Sequence, residues 1–190
     1  MVTSVALYVA FLGALYVERL AELLVSRRNA RLAFAAGGVE TLRRHYAVMV
    51  AVHALFPLAC AVEVLALRRA FPGFLGVTAL VAALVAQALR WWAVATLGWR
   101  WNTRIIVVPG AEPVTAGPYQ FLRHPNYLAV MLEALAVPLI HGAWLSAIAF
   151  VCANAALLGV RIPAEERALG ERYARAFAGV PRHTPGGRHA

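Results

Sequence analysis

Long apolar runs are the feature that most limits how this chain can fold. They occupy residues 2–25, 45–67, 74–97 and 126–160. A helix needs roughly 20 apolar residues to cross a bilayer, and it satisfies its own backbone polar groups there. Charged residues make up 14% of the chain, whereas a soluble domain carries about a quarter. The sequence therefore predicts an all-α, polytopic integral membrane protein with about five transmembrane helices, rather than a soluble helical domain.

The run 126–160 is too long for one crossing and is predicted to form a helical hairpin. Pro138, His141 and Gly142 interrupt it near its middle. At 1.5 Å per residue its first leg, 126–139, measures about 20 Å and can turn before the far face of the membrane. Both ends of the hairpin then lie on the same side.

We expect one membrane domain over residues 1–190. Its predicted parts are three spans (1–97), a polar cap segment (98–125), the helical hairpin (126–160) and a C-terminal segment (161–190). Residues 26–44 are predicted to form a loop broken at Gly37-Gly38, and the run 105–108 is β-like. The tail from Gly179 is expected to be loosely ordered at its end.

Arginine supplies the positive charge, and its placement predicts the topology. The net charge is +9, and the chain has no lysine. Fourteen arginines lie in the loop 26–44, in the segment 98–124 and after residue 160, against two at Arg68-Arg69. The positive-inside rule then places the cap and the C-terminus in the cytoplasm, with membrane lipids rather than nucleic acid as partners. We also expect no removable signal peptide.

Several polar side chains fall inside the apolar runs. Glu18, Arg19 and Glu22 lie near the end of the first run, and Gln87 and Arg90 lie near the end of the third. Charge at this depth is costly and usually faces protein or water, so these residues either line a site or reach the headgroups. The two cysteines also lie in apolar runs and are expected to be buried thiols, without a disulfide or a metal.

The chemistry-bearing stretch is 117–127, Gly-Pro-Tyr-Gln-Phe-Leu-Arg-His-Pro-Asn-Tyr. Pro125 suits the first position of a helix, because its missing N–H costs nothing there. The N-terminus of that helix attracts anions, and Arg123 and His124 lie beside it as further donors. Two tyrosines add aromatic faces and hydroxyl groups.

The second polar stretch follows the hairpin, where Arg161 and Glu165 are four apart on one helix face. Glu165 or Glu166 can accept hydrogen bonds from ribose hydroxyls or from an ammonium group. If the hairpin returns them to His124, the two stretches make a pocket for a ligand with both charges and a flat ring. The alternative is that these charges only pair with one another at the membrane surface. We find no glycine-rich nucleotide loop, zinc-ligand spacing or sequence repeat.

The combined pattern resembles the isoprenylcysteine carboxyl methyltransferase family. The matching segments are Gly117-Pro-Tyr119, Arg123-His-Pro-Asn-Tyr127, Arg161-Ile-Pro-Ala-Glu-Glu166, Glu171-Arg-Tyr173 and Val180-Pro-Arg182. The resemblance covers residues 87–182 and implies S-adenosyl-L-methionine as the methyl donor. Ala129 departs from the pattern, since the family usually has glycine there, and this puts the local helix packing or the acceptor channel in doubt.

The resemblance and the residue types together assign expected roles. Arg161, facing the methyl acceptor, and Glu166 are expected to be catalytic, and no metal is expected. The expected cofactor-binding residues are Pro113, Val114, Tyr119, Arg123, His124, Pro125, Asn126, Tyr127 and Glu165. The protein then mainly has to align the acceptor oxygen with the methyl group.

The expected acceptor is a lipophilic small molecule at the interface of a bacterial cytoplasmic membrane. The chain looks most like a bacterial branch that O-methylates long-chain alkylpyrones and alkylresorcinols, and a prenylcysteine-like carboxylate is the other candidate. Methylation of a phospholipid amine or a small thiol is a second enzyme hypothesis. A haem-binding or transport protein using His45, His53, His124 and His141 is a hypothesis from another class. The oligomeric state stays open.

Overall fold

The computed structural model describes residues 2–181, so most of the expected loose tail after Gly179 lies outside the described residues. The described chain is an all-α polytopic membrane protein. Its helices are α1 (Val2–Ala35), α2 (Arg43–Ala66), α3 (Phe74–Leu97), α4 (Pro125–Leu139) and α5 (Trp144–Ala176). Within these residues, α1, α2, α3 and α5 are long and apolar enough to cross a membrane, and α4 is shorter.

The predicted hairpin is formed by α4 and α5. The interruption falls where the sequence predicts it, between Leu139 and Trp144, and Gly142 adopts a positive φ of 69° in the turn. The 15 residues of α4 rise only about 22 Å. Helix α5 is much longer than the apolar run, because it continues as a polar helix to Ala176 with a kink at Gly170.

Close packing of α3 against α4 holds the hairpin to the other helices. The buried face of α3 is a stripe of small residues with one exception, Arg90; it consists of Gly76, Ala79, Ala83, Ala86, Arg90 and Ala93. Inside a membrane the hydrophobic effect does not drive helices together, and small side chains allow the close backbone approach on which their packing depends. On α4, Ala129 is fully buried, so alanine is accommodated at the position where the family usually has glycine.

The prediction of a loop over residues 26–44 is wrong for its first part. Helix α1 continues to Ala35, and only then does Gly37, with a φ of 81°, turn the chain. No glycine or proline interrupts residues 26–35. Ser26 and Asn29 on this extension bond to the cap, since the Asn29 amide donates to the Trp101 carbonyl at 2.8 Å.

The cap contains a two-stranded antiparallel sheet. Strand β2 (Ile105–Val107) confirms the β-like run, and it pairs with β1 (Val39–Thr41), which the sequence did not predict. The register aligns Val39 with Val107 and Thr41 with Ile105. The sheet therefore ties the α1–α2 connection to the segment that precedes α4.

At the opposite end of the bundle, a buried carboxylate joins α2 to the start of α5. Glu63 accepts hydrogen bonds from the backbone N–H groups of Leu145 (3.1 Å) and Ser146 (2.7 Å) and from the Ser146 hydroxyl (2.8 Å). It also pairs with Arg69 at 3.0 Å. Glu63 thus satisfies N–H groups that a helix N-terminus leaves without partners.

Candidate functional site

The first side of the candidate site is the N-terminus of α4. Pro125 occupies its first turn, and the His124 side chain does not cap the helix. The backbone N–H groups of Tyr127 and Leu128 instead donate to the His124 carbonyl, at 3.1 and 3.2 Å. Proline fixes φ near its helical value, so the helix begins at Pro125. Because the His124 side chain does not cap this helix, its ring is available to bond to other elements.

Tyr127 joins the two polar stretches of the sequence. Its hydroxyl donates to the Glu165 carboxylate and accepts from Nε of Arg161 at 2.7 Å. Its ring stacks on the His124 ring, with centroids 5.3 Å apart and planes 20° apart. The Arg161 guanidinium lies 5.7 Å from the centroid of the Tyr127 ring. The hairpin therefore returns Glu165 and Arg161 to His124.

Arg161 also connects α5 to the cap. Its Nη2 donates to the Thr103 carbonyl at 2.9 Å, and the side chain is only 4% exposed. The guanidinium thus bonds to groups from α4 and from the segment before β2. A guanidinium is a rigid, permanently charged donor, so this site keeps a cation at a fixed place among buried groups.

The two adjacent glutamates diverge. Glu165 contacts Tyr127, whereas Glu166 lies 3.1 Å from Nε2 of His124 and 4.0 Å from Nη1 of Arg123. Arg123 in turn donates from Nε to the Val180 carbonyl at 2.6 Å. Glu166 and Arg123 therefore fix the His124 ring and the C-terminal segment relative to each other.

A cavity of about 700 Å³ adjoins these groups. Most of the predicted site residues line it, namely Pro113, Val114, Tyr119, Arg123, His124, Asn126, Tyr127, Arg161 and Glu165. Pro125 and Glu166 are not among its lining residues. The cavity also extends below the cap between α1, α2 and α5, where apolar side chains line it: Leu20, Leu23, Val50, Leu157 and Leu158. One continuous space thus has a polar end under the cap and a mainly apolar end at membrane depth.

Tyr119 closes one side of the polar end. Its ring is buried, and its hydroxyl donates to the Ala93 carbonyl at 3.5 Å. Burial, helped by the nearby Glu165 carboxylate, raises the pKa of the Tyr119 hydroxyl well above its usual range. Tyr119 therefore stays a neutral donor and an aromatic surface at any physiological pH.

The polar side chains at membrane depth face the protein, not the headgroups. Arg90 donates to both carboxylate oxygens of Glu22, at 2.7 and 2.6 Å, and its Nη1 donates to Oδ1 of Asn126 at 3.2 Å. Arg19 pairs with Glu22 at 2.8 Å and with Glu133 at 3.1 Å. Glu22 of α1 therefore fixes the Arg90 side chain of α3, and Arg90 in turn holds Asn126 of α4.

The sequence analysis did not single out Glu133, and for Glu22 it left open whether the side chain lines a site or reaches the headgroups. The signal in the sequence is the position of each carboxylate inside an apolar run, but only the packing shows which arginine partners it. Arg90 was considered as a lining residue, and it does line the cavity together with Arg19 and Glu22.

Two of the four histidines of the haem hypothesis, His124 and His141, lie far apart. His124 precedes the first residue of α4 and His141 follows its last, so they are at opposite ends of the hairpin's first arm. His141 is near Ser4 of α1, with Nε2 at 3.3 Å from the hydroxyl oxygen. One haem cannot use both residues.

Two comparisons with known proteins bear on this chain, and the first of them shows its family. A family model described as the isoprenylcysteine carboxyl methyltransferase (ICMT) family matches residues 77–171. The uncharacterized protein YpbQ of Bacillus subtilis (strain 168) is 41% identical over 161 residues, which is 84% of this chain and 95% of that protein. The match to the family model includes both polar stretches that meet at Tyr127.

Proposed function

Because the chain belongs to the isoprenylcysteine carboxyl methyltransferase family, which is a family of methyltransferases, we propose that it transfers a methyl group from S-adenosyl-L-methionine to a lipophilic acceptor at the membrane interface. One observation carries this proposal. Tyr127 connects Glu165 and Arg161 to the His124 ring at the wall of a cavity that has both a polar and an apolar end.

The residues at the polar end suit the proposed cofactor. The Glu165 carboxylate can accept from ribose hydroxyls or an ammonium group, and Asn126 and the N-terminus of α4 can hold a carboxylate. Tyr119 offers an aromatic face for a flat ring. Pro113 and Val114 line the same cavity from the cap and present backbone groups to the ligand. When bound, S-adenosyl-L-methionine supplies a methyl group that its cationic sulfur already makes reactive.

The protein's contribution is then mainly alignment. Arg161, fixed by Tyr127 and Thr103, can hold the acceptor oxygen as a carboxylate or phenolate anion, so a strong base is not required. Glu166 bonds the His124 ring and keeps it against Tyr127, which makes Glu166 a positioning residue in this scheme. Fixing the reacting groups in this way lowers the entropic part of the barrier.

The acceptor we propose has an apolar tail and an oxygen nucleophile. Its tail would occupy the apolar end of the cavity, and its reactive oxygen would lie near Arg161. A long-chain alkylpyrone or alkylresorcinol and a prenylcysteine-like carboxylate both fit this description. The arginine-rich part of α1 lies on the cap side, so we place the site on the cytoplasmic face of a bacterial membrane.

Titration of S-adenosyl-L-methionine into the purified protein tests the cofactor assignment. His124→Ala and Glu165→Ala should each raise the dissociation constant by about tenfold or more, since each removes a polar side chain that lines the cavity. Arg161→Ala should lower turnover, measured with labelled donor and extracted membrane lipids, more than it lowers cofactor affinity. Arg167→Ala is the control, because Arg167 is exposed and, within residues 2–181, bonds only to the Pro163 carbonyl.

The assignment of the cofactor would be wrong if His124→Ala and Glu165→Ala bound S-adenosyl-L-methionine as tightly as the Arg167→Ala control. A wild-type protein that bound the cofactor but methylated no extracted lipid would instead restrict the acceptor to a molecule that the extract lacks.

A further inference from the structure

The apolar end of the cavity has two polar side chains that the methyl-transfer scheme does not use. His53 of α2 and Asn154 of α5 both line the main cavity and also a small extension beyond it. The extension is also bordered by apolar side chains, including Phe56 and Phe150, and by the ion pair of Arg19 with Glu133 at 3.1 Å. Polar side chains in this position need hydrogen-bond partners or a functional role.

The helix geometry places this pair on facing surfaces. His53 and Phe56 are three residues apart on α2, and Phe150 and Asn154 are four apart on α5, so each couple shares one helix face. The Phe56 and Phe150 rings pack against each other with centroids 4.8 Å apart. His53 and Asn154 each lie one turn closer to the cap than these rings. They therefore border the same part of the cavity from two sides.

Both side chains have hydrogen-bond acceptors to offer. Nδ1 of His53 lies 2.8 Å from the Met49 carbonyl; because a carbonyl only accepts, Nδ1 carries the proton and Nε2 of the neutral ring is an acceptor. The Asn154 amide donates to the Phe150 carbonyl at 2.8 Å. Oδ1 of Asn154 is buried and has no partner among the described residues, and the residue is only 4% exposed. A buried acceptor without a donor costs free energy.

We propose that His53 and Asn154 form a second polar subsite, in which Oδ1 of Asn154, as the main acceptor, and Nε2 of His53 share the single O–H donor of a hydroxyl group on the tail of the lipid acceptor. This inference rests on the proposed function, whose acceptor it defines more closely. Asn154 and Arg161 are seven residues apart, hence on the same face of α5 and about 10 Å apart along its axis. Leu157 and Leu158 line the cavity between them. The acceptor therefore has a hydroxyl group about two helical turns deeper than its methylated oxygen.

A matched pair of lipids tests this subsite without requiring methyl transfer. The probes are octadecanoic acid and 10-hydroxyoctadecanoic acid, whose carboxylate would lie at Arg161 and whose hydroxyl would reach the depth of Asn154. Calorimetric titration of the wild-type protein in detergent should give a dissociation constant roughly tenfold lower for the hydroxy acid, the effect of one well-made buried hydrogen bond. Asn154→Leu should abolish this preference, and His53→Phe should reduce it.

Val130→Ala is the control, because Val130 lines both the cavity and its extension without a polar group. It should weaken the binding of both lipids equally. Comparing the ratio of the two constants between variants cancels any difference in how the lipids enter detergent micelles. His53→Phe keeps the test decisive if Asn154→Leu fails to fold.

The subsite is refuted if the wild-type protein binds the two lipids equally, or if the preference for the hydroxy acid persists in the folded variants. Titration of S-adenosyl-L-methionine into the same samples separates this result from the proposed function. Cofactor binding without lipid discrimination rejects the subsite alone, whereas discrimination without cofactor binding rejects the methyltransferase assignment alone.

Discussion

Replacing Tyr127 by phenylalanine isolates the hydroxyl group that joins the two halves of the site. The ring would still stack on His124 and still lie beneath the Arg161 guanidinium, at 5.3 and 5.7 Å. The change removes one oxygen atom, which donates to Glu165 and accepts from Nε of Arg161 at 2.7 Å. The expected effect is therefore on orientation, not on packing.

The size of the effect follows from the two lost hydrogen bonds. Each bond to a charged group contributes about 1.5–3 kcal/mol to stability. Arg161 keeps its bond to the Thr103 carbonyl, and water entering the cavity can replace part of what is lost. We therefore expect the binding free energy of S-adenosyl-L-methionine to fall by about 2–3 kcal/mol, because the site is no longer held in the correct orientation. This loss corresponds to a dissociation constant that is higher by a factor of roughly 30 to 150.

Tyr119→Phe is the matched control, because it makes the same chemical change in a buried tyrosine of the same cavity. Among the described residues, the Tyr119 hydroxyl forms a hydrogen bond only to the Ala93 carbonyl, at the long distance of 3.5 Å. We expect its removal to change the affinity for S-adenosyl-L-methionine by less than about threefold, which is the lower end for a hydrogen bond. The assay is calorimetric titration of the cofactor, with circular dichroism to show that both variants fold.

Equal cofactor affinities for Tyr127→Phe and Tyr119→Phe would refute this reasoning. They would show that the orientation of Glu165 and Arg161 does not depend on the Tyr127 hydroxyl. An unfolded Tyr127→Phe variant would also contradict it, since the aromatic contacts that remain are expected to preserve the packing.

Two further perturbations test the elements that support the site. Glu63→Ala should lower the free energy of unfolding by about 3 kcal/mol, because it leaves buried N–H groups and Arg69 without their acceptor; thermal unfolding in detergent measures this. Glu112→Ala is the control; it breaks an exposed ion pair and should lower the free energy of unfolding by less than about 1 kcal/mol. Similar losses for Glu63→Ala and Glu112→Ala would contradict the conclusion that burial makes the Glu63 contacts costly to lose. Arg90→Met should weaken cofactor binding by about three- to tenfold, because it releases Asn126. Arg90→Lys should recover only part of this affinity, because lysine lacks the planar, two-pronged guanidinium group of arginine. Unchanged cofactor titrations for Arg90→Met would show that Asn126 needs no such support.

The sequence was most informative where local rules suffice. The apolar runs predicted α3 over its full length, 74–97, because burial in lipid leaves the backbone little choice but a helix. Pro125 predicted the first residue of α4, since its ring fixes the local conformation. Pro138 and Gly142 predicted the turn of the hairpin.

Prediction failed where distant partners decide the outcome. Residues 26–35 are rich in arginine, which indicates the end of a span, yet the helix continues because Ser26 and Asn29 bond to the cap. Strand β1 is too short to be recognised in the sequence, and it exists because β2 pairs with it across 66 residues, Glu40 opposite Ile106. The sequence shows that Glu22 and Glu133 are charged residues in apolar runs, but it does not show which arginines pair with them.

What the sequence determined by itself is a bundle of membrane helices with two polar stretches separated by a hairpin. Composition, helix periodicity and the positions of proline and glycine act over a few residues, so they can be read without coordinates. Only the tertiary structure decided that Tyr127 bonds both Glu165 and Arg161, that Glu166 instead contacts His124, and that Asn154 borders the apolar end of the cavity. Those contacts depend on the rotation of α4 and α5 about their axes, which is fixed by the packing of small side chains on α3 and α4 and not by any local property of the chain.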